Sequence, residues 1–313
     1  MKAISEIREQ PDQQNGECRP YSPLGDVLAL AFDKIEEVYR TKNRPTGIPS
    51  GFCGLDDITA GFQPANLAVI GSRPSVGKTT IALNMAAHIA IRECRPTAFF
   101  SLEMTNVMLA QRLISGEALV DVGKMRNGLL PTGDFRKITD VIAAITEAPL
   151  FMADRPNIKL RELCSRIREL RARESVEIVF IDYLGLIDHE DRSLPRHEQV
   201  SEFSRALKSL ATELKIPIVV LCQLNREMER SAHSRPPSLA NIRDSGSIEQ
   251  DADLVMLLHG KPPSGNEKDG IAKGIPAELI VAKHRNGPVG TVELVLQQEY
   301  LRFVPLQRQG GLS

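Results

Sequence analysis

Tryptophan is absent, and Phe, Tyr and Trp together make up only 4% of the 313 residues. A platform that grips single strands by stacking successive bases on aromatic rings is therefore not expected. No apolar run approaches the ~20 residues that cross a bilayer, and Met1 to Pro20 lacks the apolar core of a secretory signal. The five cysteines, Cys18, Cys53, Cys94, Cys164 and Cys222, are scattered, with no CxxC pair. That argues against a cysteine zinc site and a disulfide framework. A reducing, cytoplasmic setting fits best. Excess charge is missing too, since 39 basic against 40 acidic side chains leave −1. Any hold on nucleic acid must come from locally concentrated basic groups, for example around a central channel.

What the chain does have is an alternation of buried-strand and amphipathic-helix patterns. Residues 1–21 are polar, with Pro11, Gly16 and Pro20, and read as a disordered tail. Ser22-Pro23 suits a helix start, with Ser as N-cap and Pro at the first helical position. Leu24, Leu28, Ala31, Ile35 and Val38 then form one apolar stripe on a helix ending near Thr41. That stripe needs a partner, either its own domain or a neighbouring subunit. Residues 22–46 are thus a linker helix and connector, 47–306 the main domain, and 307–313 a short tail. Strands are expected at 67–70, 98–102, 177–181, 218–222, 254–258, 278–282 and 292–296, with helices over 77–91, 159–173 and 198–214. Strands alternating with helices predict an α/β fold with a doubly wound, mostly parallel sheet. The late strands lack long helices between them, so that edge is expected to be antiparallel. Pro- and Gly-rich stretches at 233–238 and 260–276 read as surface loops.

Ser72-Arg73-Pro74-Ser75-Val76-Gly77-Lys78-Thr79 falls between the first strand and a helix, where a phosphate-binding P-loop belongs. The expected nucleotide-binding set is Ser72, Arg73, Pro74, Ser75, Val76, Gly77, Lys78, Thr79 and Thr80. Loop and helix-start N–H groups would cradle phosphates, Lys78 would reach the β- and γ-phosphates, and the Thr79 hydroxyl would ligate Mg²⁺. Ser72 stands where the usual pattern has Gly, which is tolerable if its φ is negative. Asp182 ends the apolar strand Val179-Phe180-Ile181-Asp182, as an acid that holds Mg²⁺ would. Glu103 and Gln223 end two further strands. In a parallel sheet those ends share an edge with the phosphates. A carboxylate there can orient attacking water, and an amide can sense a γ-phosphate. Lys283 and Arg285 alternate at a late strand end, so they point to one face. Alone, they would read as a solvated basic patch.

The ordered motifs add specificity. They are Gly47-Ile48-Pro49-Ser50-Gly51-Phe52, the P-loop, Phe100-Ser101-Leu102-Glu103-Met104, Ile181-Asp182-Tyr183-Leu184 and Gln223-Leu224-Asn225-Arg226. Arg243-Asp244-Ser245-Gly246-Ser247-Ile248-Glu249-Gln250-Asp251-Ala252-Asp253 and Ala282-Lys283-His284-Arg285-Asn286-Gly287-Pro288 follow. Over about residues 24 to 305 the chain resembles the C-terminal motor of DnaB-type replicative DNA helicases, a RecA-like P-loop NTPase. The resemblance implies an ATP- and Mg²⁺-dependent motor moving 5′ to 3′ on single-stranded DNA as a homohexameric ring in bacterial or phage DNA replication. It makes Glu103 the catalytic base and Gln223 the phosphate sensor. Lys283 and Arg285 would reach the neighbouring subunit's γ-phosphate, Arg285 as arginine finger. Arg243, Asp244 and Gly246 would grip the DNA backbone, and the 24–41 helix would dock on the next subunit. A helicase loader is a further implied partner. The family's primase-contacting N-terminal domain is missing here, which weakens the expectation of primase contact. Gly185 replaces a usual Gln, and Asp244 a usual Glu. Another RecA-like DNA-dependent ATPase, or a regulatory partner of a full-length ring, are the competing readings.

Overall fold

Each central strand is apolar on both faces, and both faces are covered. The computed structural model describes residues 22–40, 45–191, 193–224, 236–241, 245–261 and 274–306, and the chain divides into units Met1–Thr46 and Gly47–Ser313. In the first unit, helix α1 spans Leu24–Arg40. Its Leu24, Leu28 and Ile35 are 71%, 56% and 64% exposed, a continuous apolar stripe open to solvent.

The second unit begins with the short helix α2, Cys53–Thr59. It continues with β1, Leu67–Ser72, α3, Lys78–Ala87, and β2, Thr97–Ser101. Helices α4, Asn106–Ala118, α5, Val122–Asn127, and α6, Thr132–Ile145, lead to β3, Leu150–Asp154. Then come α7, Leu160–Glu174, β4, Ile178–Asp182, α8, Arg196–Leu214, and β5, Ile218–Gln223. Helix α9, Ser245–Asp251, precedes β6, Leu254–Gly260. The chain then runs through β7, Ile275–His284, β8, Gly290–Gln297, and β9, Arg302–Pro305.

Among the described residues these strands form one sheet in the order β3-β2-β4-β5-β1-β6-β7-β8-β9. Pairing is parallel from β3 to β6 and antiparallel from β6 to β9. This is the doubly wound, mostly parallel sheet with an antiparallel edge expected from the pattern. Strand alternation divides the core in two. Leu67 and Val69 of β1 pack with Leu163 and Ile167 of α7 and with Phe203 and Leu207 of α8. Ala68 and Ile70 pack with Ile81 and Met85 of α3 and Leu109 of α4. At the centre of the second core, Phe180 stacks on Phe99 at 6.0 Å and meets Phe62 edge-on at 6.2 Å, arrangements worth about 0.5–1.5 kcal/mol each beyond area burial.

Three expectations shift. The helix after the P-loop starts at Lys78 rather than Gly77, and its last turn, His88–Arg92, widens to a π-helix. Gly260 closes β6 and Ile275-Pro276 open β7, so the stretch read as a loop over 260–276 is narrower at both ends. Residues 225–235 and 262–273, which hold half of the first expected loop and most of the second, lie outside the described residues. Among the described residues, no helix is long and apolar enough to cross a membrane.

Candidate nucleotide site and the opposite edge of the sheet

The chain leaves β1 at Ser72 and enters α3 at Lys78 through a turn whose dihedrals only some residues allow. Gly77 has φ +106°, and a Cβ there would lie 3.0 Å from the Phe303 ring. Gly is thus required on two counts. Ser75 also takes a positive φ of 63°. Ser72 stays within the extended strand, so its replacement of Gly needs no left-handed backbone; its hydroxyl donates to the Arg73 carbonyl at 3.0 Å.

Asp182 ends β4 fully buried. The Thr79 hydroxyl donates to its Oδ2 at 2.6 Å, and Lys78 Nζ lies 3.7 Å from its Oδ1. Among the described residues Oδ1 has no hydrogen-bond partner. A buried carboxylate oxygen left open beside a hydroxyl is a hard-oxygen pair suited to Mg²⁺ bound jointly with phosphates. Lys78 Nζ also sits 4.0 Å above the Tyr183 ring. Burial holds the Lys78 amine below its ordinary pKa, and Asp182 opposes that shift. An anionic ligand arriving here would relieve the same desolvation cost. On the neighbouring strand, full burial pushes the Cys222 thiol up to about 12.

Glu103 follows β2, whose Ser101 pairs in register with Asp182. The Leu102 amide donates to the Asp182 carbonyl at 2.7 Å. The Ser101 hydroxyl donates to the Met104 carbonyl and accepts from the Met104 amide, at 2.7 and 3.0 Å. That tight turn presents Glu103 exposed at the sheet edge. Gln223 ends β5 directly beside Ser72 in the parallel register. Lys78, Thr79, Asp182, Glu103 and Gln223 are therefore gathered at one sheet edge.

Two residues at this edge were not singled out from sequence. Tyr183 lies under the lysine. Arg112, on α4, has its pKa lowered by burial, against the fields of Asp182 and Glu103. Its only sequence signal is a charge inside the apolar run Leu109-Ala110-Gln111-Arg112-Leu113-Ile114.

Lys283 and Arg285 lie elsewhere. Leu254 pairs with His284 in the antiparallel ladder and with Ala68 in the parallel one. Arg285 is thus at the start of β1, while the P-loop is at its end. Five residue steps at ~3.3 Å each separate the two edges by about 17 Å, well beyond an arginine side chain. Lys283 Nζ donates to the Glu249 carbonyl and, at 2.7 Å, to the Ala252 carbonyl. Arg285 Nη1 donates to Asp253 Oδ1 at 3.0 Å. Both cations therefore gather at the carboxyl end of α9. Gly246, near the other end of that helix, is exposed. Arg243 and Asp244 lie outside the described residues. The helix itself is pinned to α8 by Ser201 and Ser247 hydroxyls at 2.8 Å and by Ser204 on Asp251 at 2.6 Å.

The model of the DnaB-like helicase C-terminal domain family matches residues 47–305. The replicative DNA helicase DnaB of Treponema pallidum is 49% identical over 281 residues, which are 90% of this chain and 61% of that protein. The replicative DNA helicase DnaC of Bacillus subtilis is 40% identical over 309 residues, covering 98% and 66%. The chain thus spans about two thirds or less of the curated relatives it matches. Among solved structures, one described as an ATPase domain superposes with a TM-score of 0.82 at 32% identity, covering 92% of this chain and 100% of that one. A DnaB-like replicative helicase, described with its interactions with primase, gives 0.80 at 32% identity, covering 98% and 71%.

Proposed function

Because this chain belongs to the DnaB-like helicase C-terminal domain family, we propose that it is an ATP-hydrolysing motor. In this reading it draws single-stranded DNA through a homohexameric ring, 5′ to 3′, in the cytoplasm. The observation that carries the reading is the division of labour between two sheet edges. One edge collects a phosphate loop, a buried acid and an exposed carboxylate. The other edge holds the basic pair, out of reach of its own P-loop.

In this mechanism the loop amides and Lys78 bind the triphosphate. Thr79 and Asp182 would hold Mg²⁺, which would supply charge neutralisation for the triphosphate. Glu103 accepts a proton from the attacking water, and Gln223 hydrogen-bonds to the γ-phosphate. Lys283 and Arg285 complete the site of the adjacent subunit, so each ATP sits between two copies. Arg243, Asp244 and Gly246 grip the DNA backbone, and contacts to phosphate leave base sequence largely unread.

The deciding experiment is the ATPase rate of the purified protein with and without single-stranded DNA. Strong stimulation is expected, and a DNA-independent rate would remove the motor reading. An inactive protein that co-assembles with a full-length helicase would favour a regulatory role instead. Glu103→Gln should bind ATP normally while hydrolysis falls about a hundredfold, the scale of a lost general base. Fluorescent-nucleotide titration beside a phosphate-release assay checks this, and parallel loss of both would mark Glu103 as structural. Single-strand affinity should weaken steeply with salt, by a slope of about −0.7 per phosphate contacted. Arg243→Ala should make that slope shallower. A variant with unchanged slope and affinity would move the DNA path elsewhere.

A further inference from the structure

Asp253 is almost fully buried, at 3% exposure, yet it holds cations on two sides. Its Oδ2 accepts from the Leu67 amide at 2.9 Å and from Lys208 Nζ at 2.6 Å. Its Oδ1 accepts from Arg285 Nη1 at 3.0 Å. The backbone fixes the same junction, because the Arg285 amide donates to the Asp253 carbonyl at 2.8 Å and the Asp253 amide donates to the Leu67 carbonyl at 2.9 Å. Arg285 Nη2 donates to the Gln250 carbonyl at 3.3 Å. These bonds engage two of the five guanidinium donors, and the side chain is still half exposed.

We propose that Asp253 is a positioning residue for Arg285, aiming the guanidinium outward before the neighbouring subunit's phosphate arrives. The proposal rests on the reading of Arg285 as a group acting in trans. A flexible arginine would have to be ordered during turnover, whereas one already braced by a buried carboxylate meets developing charge without reorganising. A simple one-to-one pair would cancel the charge the phosphate needs. Here Lys208 shares the same carboxylate, so the Asp253 charge is divided between two cations and is not spent on Arg285 alone. Asp253 also spans two structural parts. Its carboxylate and backbone clamp β1 at Leu67, and its carbonyl receives Arg285, so the finger's position is referenced to the central strand of the sheet.

The test is Asp253→Asn in the full chain, assayed for DNA-stimulated ATPase. Turnover should fall about ten- to hundredfold, the scale of misplacing a group by an ångström, with KM for ATP nearly unchanged. A strand clamp without a positioning role would damage the subunit's own site, whereas a positioning role damages the neighbour's. Mixing Asp253→Asn with Lys78→Ala separates these. Intact P-loops of the first then meet intact, well-braced fingers of the second, and turnover per intact P-loop should rise. The reference is a mixture of Arg285→Ala with Lys78→Ala. If the reference recovers and the Asp253→Asn mixture does not, Asp253 is only a clamp and the proposal is overturned. Wild-type turnover of Asp253→Asn overturns it equally. If the reference itself stays silent in co-assembled protein, the trans reading falls and takes the proposal with it. Should Asp253→Asn fail to fold, the double variant Asp253→Asn/Lys208→Met removes the buried charge together with its second partner and is read the same way.

Discussion

Lys78→Ala should abolish nucleotide-dependent turnover, by at least about 10³-fold, since phosphoryl transfer leaves the protein little to do beyond placing and neutralising charge. The geometry makes this lysine hard to replace. Its amine is buried beside the carboxylate of Asp182 and over the Tyr183 ring, and burial lowers its pKa. Removing it leaves Asp182 fully buried, with Thr79 as its remaining side-chain partner. An incoming triphosphate would then face an unbalanced buried anion, and one such charge without a counter-ion costs several kcal/mol. ATP affinity and turnover should therefore fall together. Turnover near the wild-type rate would remove the P-loop assignment.

Arg285→Ala should be almost as severe, about 10³-fold or more in turnover, the worth of an arginine finger, while leaving ATP affinity intact. The separation follows from the register. Arg285 lies at the start of β1 and Lys78 beyond its end, so on the proposed ring reading the loss should fall on a neighbour. A mixture of Arg285→Ala and Lys78→Ala, each inactive alone, should regain part of the ATPase rate. Some interfaces then pair an intact loop with an intact finger. Deleting residues 1–42 should weaken assembly and reduce the recovery, because the apolar stripe of α1 goes with it. Full ATPase activity in a protein that sediments as a monomer would end the ring reading.

Much of this was legible because a parallel sheet converts strand ends into neighbours. Glu103, Asp182 and Gln223 follow apolar runs, and once those runs are parallel their ends must share an edge with the P-loop. What stayed hidden depended on distance in the chain or on weak pattern. β3 is an outer strand whose residues are all half-buried, and its Leu150-Phe151-Met152-Ala153 run has no β-branched residue to mark it as a strand. α2 is only seven residues long. The strand order, with β4 and β5 inserted between β2 and β1, follows from packing of both faces and not from any local signal. Asp253 gave no hint at all. Its link to Leu67 joins residues 186 apart, and in sequence it is one more acid in Glu249-Gln250-Asp251-Ala252-Asp253.

The placement of loop and finger on opposite edges also sets how activity should respond to dilution. On the proposed trans reading every contact that completes a site is head-to-tail, so an open chain of n copies would hold n − 1 complete sites and only closure would supply the last. A lone copy would hold none. Specific activity should therefore not be constant with protein concentration. It should climb with an apparent order above one at low concentration, then level off once closed assemblies dominate.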